Sequence, residues 1–209
     1  MKMRTKWMQA VLILVGMAAL CAAQCFAQTD VAVSLYGAFS GTTTANGVAQ
    51  SPSNAAGGML EVRHISHPWL GYEGTYSINR ANQTYRYVDP PSCPAGSTGP
   101  CGLQAVSADA HQVTGDWIAS VKVAHVRPFA LGGVGLLLDV PSSGQGASSN
   151  VKPVFVYGAG LDWGLAPHIG LRFQYRGNLY KAPNLTSLFT SVDRFTQTAE
   201  PMIGAYFRF

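Results

Sequence analysis

The chain has 209 residues, room for one domain and a removable leader. Apolar side chains make up 47% of it and charged ones only 11%, under half of the roughly 25% usual in soluble proteins. Of its 14 basic residues, Lys2, Arg4 and Lys6 crowd the first turn of sequence; without them 11 bases face 10 acids, which excludes the broad positive surface of a nucleic-acid binder.

The opening stretch reads MKMRTKWMQAVLILVGMAALCAAQCFAQTD. Its positive start, short apolar core (residues 11–20) and small residue at Ala27 make residues 1–27 a secretory signal peptide, cleaved after Ala27, and residues 28–209 the mature domain. The core is too short for a spanning helix of about 20 apolar residues. Leu20 and Gln24 do not suit the following cysteines to lipidation.

Eight segments follow in which apolar and polar residues alternate, the period of a strand with two unlike faces. The first, near residues 31–40, sets Val31, Val33, Leu35 and Phe39 on one side. The second, near 55–65, opposes Leu60 and Val62 to Glu61 and Arg63. The third, near 69–80, opposes Leu70, Tyr72, Tyr76 and Ile78 to Glu73, Thr75, Ser77 and Asn79. The fourth, near 110–121, opposes Val113, Trp117 and Val121 to Gln112, Thr114, Asp116 and Ser120. The fifth, RPFALGGVGLLLDV, is apolar almost throughout, and its facing stays open. The sixth, near 153–165, opposes Phe155, Tyr157, Leu161, Trp163 and Leu165 to Asp162 and three glycines. The seventh, near 169–180, opposes Ile169, Leu171, Phe173, Tyr175 and Leu179 to Arg172, Gln174, Arg176 and Asn178. The eighth, near 194–209, opposes Ile203, Ala205, Phe207 and Phe209 to Glu200, Gly204, Tyr206 and Arg208.

The connections alternate in length. SHP, KVAHVR and LAPH are short; residues 41–54, 81–109, 141–152 and 181–193 are long and rich in Ser, Gly, Asn and Pro. Short turns on one side and long loops on the other are the pattern of a barrel set in one bilayer. Ten to twelve residues at ~3.3 Å each, tilted by roughly 40°, span about 25–30 Å, the height of such a barrel's apolar band. In hydrocarbon every backbone N–H and C=O must be paired within the protein, so the eighth strand is expected to close on the first. The fold class is therefore all-β: an eight-stranded antiparallel up-and-down transmembrane β-barrel.

With its leader, its glycine-rich strands RPFALGGVGLLL and VYGAGLDWG, and its terminal AYFRF, the mature chain resembles the small outer-membrane β-barrels, the OmpA/OmpX-like family. The resemblance implies residence in the bacterial outer membrane, with membrane lipids and lipopolysaccharide as surroundings. It also implies that Tyr206, Phe207 and Phe209 are the signal read by the outer-membrane assembly machinery. A wall-anchoring role like that of the longer family members is not expected.

The polar parity, turned inward, gathers Glu61, Glu73, Asp116, Asp162 and Glu200 with Arg63, Lys122, Arg172, Arg176 and Arg208, the second and last of these bases towards the rim. An ion-paired lumen is expected, because a lone buried charge is costly. Eight strands leave little more than room for side chains, so bulk diffusion is not expected, and the inner network reads either as a plug or as a gated narrow path. Trp69, Trp163, Tyr180 and Phe209 are expected in aromatic belts. The same alternation also fits a soluble ligand-binding barrel with its apolar face turned inward.

Two cysteines remain after the leader, Cys93 and Cys101 in PPSCPAGSTGPCG. In an exported protein they read as a disulfide pinning a long loop. No metal-ligand spacing and no cofactor motif is present, and the expected state is a monomer. One stretch carries candidate chemistry: in VRHISHP, His64 and Ser66 resemble the His-x-Ser of lipid A deacylases, with Glu73 as the nearest acid. His67 stands where those enzymes have Asn, and the parity of Glu73 points inward. The leading expectation is a non-enzymatic barrel serving envelope structure, or binding an external ligand through its long loops. Against it stand the deacylase-like enzyme and the soluble barrel.

Overall fold

The computed structural model describes residues 28–67, 69–88, 102–143 and 146–209. The expected signal peptide, Cys93 and Cys101 lie outside the described residues. The strands are β1 (Gln28–Ser40), β2 (Thr43–Ala45), β3 (Val48–Pro52), β4 (Ala55–Ile65), β5 (Leu70–Tyr87), β6 (Leu103–Ser120), β7 (Val126–Ser143), β8 (Asn150–Gly164), β9 (Ile169–Lys181) and β10 (Phe195–Arg208). β1 and β4 to β10 pair antiparallel in succession, and β10 pairs back onto β1. The sheet is thus a closed eight-stranded barrel, and closure leaves it no edge.

Two stretches expected to be loop are strand. β5 and β6 stay paired from Arg80↔Asp109 to Arg86↔Leu103, beyond the limits set by the alternation. There Arg80, Asn82, Thr84 and Arg86 take the outward positions, so the ladder outlasts the hydrophobic contrast that reveals it. In residues 41–54, β2 and β3 form a hairpin that adds to the end of β5. Its turn is Asn46-Gly47, with φ of 51° and 74°. That left-handed pair gives a two-residue turn whose twist matches its strands.

The apolar parity faces outward. Val33, Leu35, Leu60, Val62, Trp117, Phe155, Trp163, Phe173, Ile203 and Phe207 are exposed, while Glu61, Arg63, Glu73, Asp116, Asp162, Arg172 and Arg176 are buried. This overturns the soluble ligand-binding reading, which needs the apolar residues inside. Trp69, Trp163 and Phe209 are exposed near the turn end. Tyr180 is a correction: it shares the inward parity of Arg172 and Arg176, is buried, and bonds Thr198 Oγ1 at 2.8 Å.

β7, whose facing was open, turns Arg127, Phe129, Leu131, Leu137 and Asp139 inward and Val134, Leu136 and Val140 outward. With Ile118, Val154 and Val156 it makes an apolar wedge inside the barrel. Bulky inward rings need flat backbone beside them. The Phe129 ring lies against Gly160 and the Tyr206 ring against Gly170, and a Cβ at either glycine would overlap the ring.

The seam between β1 and β10 is interrupted. Its register runs to Tyr36↔Met202 and resumes at Phe39↔Ala199; Pro201, which falls between, has no N–H to give. Beyond the seam, Phe209 N donates to Thr29 O at 2.9 Å.

At the loop end the connections fold over the barrel mouth. Val48, Tyr85, Val106, Ala108, Ala182, Leu185 and Val192 form a second small core there. Tyr85 Oη donates to Pro183 O at 2.8 Å and accepts from Leu185 N at 3.2 Å. Gln50 Nε2 donates to the same carbonyl at 3.0 Å, and Asn46 Nδ2 reaches Ser191 O at 2.9 Å. The loop between β9 and β10 is thus a cap, tied to the β2–β3 hairpin.

Candidate functional site

Alternation on β4, β5, β6, β8 and β9 aims their ionisable side chains at one level of the lumen. Arg172 on β9 is completely buried and lies at its centre. Its Nη2 is 2.8 Å from Asp30, its Nη1 2.9 Å from Glu61 and 3.5 Å from Glu73, and its Nε 2.8 Å from Asp162. Arg63 on β4 joins Glu73 at 2.7 Å and Asp162 at 3.1 Å. Arg176 joins Asp116 at 2.8 Å and Glu73 at 3.4 Å, and donates to Thr114 Oγ1 at 3.0 Å. Three guanidinium forks thus hold five carboxylates. Charge-assisted, multiply hydrogen-bonded pairs of this kind are what make buried ions tolerable. The Arg63 guanidinium also lies 4.0 Å from the centre of the Phe129 ring, so the apolar wedge supports the network from the side.

Of the residues expected in the lumen, Glu61, Arg63, Glu73, Asp116, Asp162, Arg172 and Arg176 are brought together. Glu200 is not part of the ion-paired set. It is buried and opposite Arg176 in register, but Arg176 is already engaged by Glu73, Asp116 and Thr114. Lys122 is exposed in the turn before β7. Arg208 is at the rim, with its guanidinium 5.0 Å from the Tyr206 ring centre. Asp30 is a member that the sequence reading omitted, and Arg127 is an inward-facing base outside the ion-paired set that it also omitted. Asp30 shares the inward parity of Ser34 and could have been found by extending the first segment backward. Arg127 opens the segment whose facing was ambiguous.

The candidate chemistry of VRHISHP is not assembled. His64 Nδ1 lies 2.9 Å from Thr29 Oγ1, and its ring is 5.1 Å from that of Tyr72 on the outer face. Glu73 faces the lumen, held by three arginines. The sheet separates the acid from the base, as opposite parities require. The terminal aromatics divide in the same way: Tyr206 is buried in the lumen, whereas Phe207 and Phe209 are exposed and meet edge-on at 5.2 Å. Among the described residues no group of three or more His, Cys, Asp or Glu is placed to hold a metal ion.

No protein-family model and no curated protein matches the sequence. Solved structures do match the closed barrel. The outer membrane protein OprG from Pseudomonas aeruginosa matches with a TM-score of 0.61 at 11% identity, over 87% of this chain and 95% of that one. The fold is that of a small outer-membrane β-barrel. Ail of Yersinia pestis, solved with the heparin analogue sucrose octasulfate, matches with a TM-score of 0.52 at 18% identity, over 88% of this chain and 99% of the other. Neisserial surface protein A matches with a TM-score of 0.52 at 11% identity, over 88% and 97%. At these identities the likeness is one of fold.

Proposed function

We propose that this chain is a non-enzymatic outer-membrane protein whose barrel is sealed, and which serves the envelope as a rigid membrane element with a folded outer cap. The observation that carries this reading is the ion-paired layer around Arg172, Arg63 and Arg176, which fills the lumen at one level with fully buried side chains. An eight-stranded barrel has space for its own side chains and little else. The exposed apolar belt supports lipid as the surrounding solvent, since no hydration shell satisfies such a surface at low cost. The protein acts as a monomer among lipids and lipopolysaccharide, and Phe207 and Phe209 with Tyr206 serve as its assembly signal. The capped loop end, with Cys93 and Cys101 joined in the connection between β5 and β6, is the surface it offers to an external ligand.

Planar-bilayer recording of the refolded protein tests the seal. The wild type is expected to add no steady open-channel current; a stable ohmic conductance overturns the reading. Fractionation tests location, with the protein expected in outer-membrane fractions and in a compact, heat-modifiable form on detergent gels.

A further inference from the structure

The turn end of the barrel differs from the sealed lumen above it. A cavity of about 330 Å³ opens there, lined among others by Lys122, His125, Arg127, Asp162, Tyr206 and Arg208. Three of these carry a fixed positive charge. Arg127 is only 6% exposed. Its Nη2 donates to Gln28 Oε1 at 2.6 Å, while its Nη1 is buried and has no hydrogen-bond partner among the described residues. The Nε of Arg208 is likewise buried and unpartnered. The carboxylate on the wall, Asp162, is committed elsewhere: its Oδ1 accepts from Arg172 at 2.8 Å, and its Oδ2 from Arg63 at 3.1 Å and Arg172 at 3.2 Å. A buried guanidinium with an unused N–H is costly unless something accepts from it. Lys122 and Arg208 add further donors; the nearby acceptor Asp30 Oδ2 has no partner of its own and makes no hydrogen bond to Arg127.

We infer that this turn-end vestibule is a binding site for a phosphate-type oxyanion, held by Arg127 and Arg208 with Lys122 at the entrance. A tetrahedral oxyanion offers several acceptors to converging guanidinium donors, and Arg pairs with it through two parallel bonds. The cavity is larger than one phosphate, leaving room for the group that carries it. Given the barrel orientation under Proposed function, the site faces the periplasm at the level of the inner-leaflet headgroups. Its ligand is then a soluble phosphate compound or a lipid headgroup, two sources of one chemistry.

The test is calorimetric titration of the refolded full barrel, in a non-ionic detergent at low salt, with inorganic phosphate and separately with a short-chain phosphatidylglycerol below its micelle concentration. Saturable phosphate binding is expected with a Kd below about 1 mM, weakening as salt is added. Tighter binding of the lipid assigns the site to a headgroup; equal or weaker binding assigns it to a soluble phosphate. R127Q and R208Q are each expected to weaken phosphate binding by about tenfold or more. R86Q, which changes an exposed base at the opposite end, is expected to leave it unchanged. Heat-modifiable migration reports separately whether each variant has closed its barrel, and if R127Q does not close, R208Q decides. No saturation by either ligand up to about 10 mM, or wild-type phosphate affinity in a closed R208Q barrel, overturns the inference while leaving the sealed outer-membrane barrel standing.

Discussion

In the middle of the lumen Arg172 is surrounded by Asp30, Glu61, Glu73 and Asp162; at the loop end Leu185 is surrounded by Val48, Tyr85, Val106 and Val192. Both regions close the same barrel, one with charge and one with apolar contact. The difference lies in how each responds to loss. Removing one member of a buried ionic set leaves its partners charged and unpaired, and their desolvation is then uncompensated. Removing an apolar side chain forfeits its own contacts and leaves a cavity of its own size. The ionic layer is therefore expected to fail as a unit and the cap to loosen locally.

The largest effect should follow R172M, which leaves Asp30 and Glu61 buried with no ion-pair partner and takes one guanidinium from Glu73 and Asp162. A destabilisation of about 3–5 kcal/mol is expected, read by denaturant unfolding in detergent and by loss of the compact unheated gel band. L185A should cost about 2–3 kcal/mol, but in the cap alone. Limited proteolysis at residues 182–194 should accelerate while the barrel transition stays in place. If L185A unfolds the barrel as R172M does, the two regions are not separate.

Y85F removes the hydroxyl that joins Pro183 O to Leu185 N. A loss of about 1 kcal/mol in cap protection is expected, measured by amide exchange at Leu185. G47A forces a side chain onto φ of 74° at the hairpin turn; it should cost a further ~1 kcal/mol and free the β2–β3 hairpin from the cap. The smallest effect belongs to the exposed pair Lys181–Asp193, 2.8 Å apart. Its hydrogen bond to Lys181 lowers the Asp193 carboxyl below its ordinary range. Its slight contribution is present at neutral pH and is lost as the pH falls through that lowered value. D193N should therefore leave barrel unfolding unchanged at pH 7.

The ionic half of this contrast was legible in the sequence and the apolar half was not, for a physical reason. On β4 and β9 each charged residue alternates with a greasy one, so parity alone assigns Glu61, Arg63, Arg172 and Arg176 to one face. On β7 both faces are apolar, so parity carries no information until β6 and β8 fix it by register. The cap depends on contacts such as those of Leu185 with Tyr85 and Val48, far apart in the chain and embedded in polar stretches. Asn46-Gly47 was its one local sign, a two-residue turn inside what composition marked as loop. Glu200 shows the limit of parity in the other direction: it faces inward and meets Asn178 by a hydrogen bond, yet joins no ion pair among the described residues.

The break opposite Pro201 bears on how the protein is made. β1 and β10 are the strands farthest apart along the chain, so their meeting carries a large loop-closure entropy and is suited to be a late step of folding. The join consists of a longer run at the turn end and a short one beyond the proline. A zipper starting from Arg208 and Asp30 would pause at the missing N–H before the last two rungs, leaving a narrow slit open to lipid in the nascent wall.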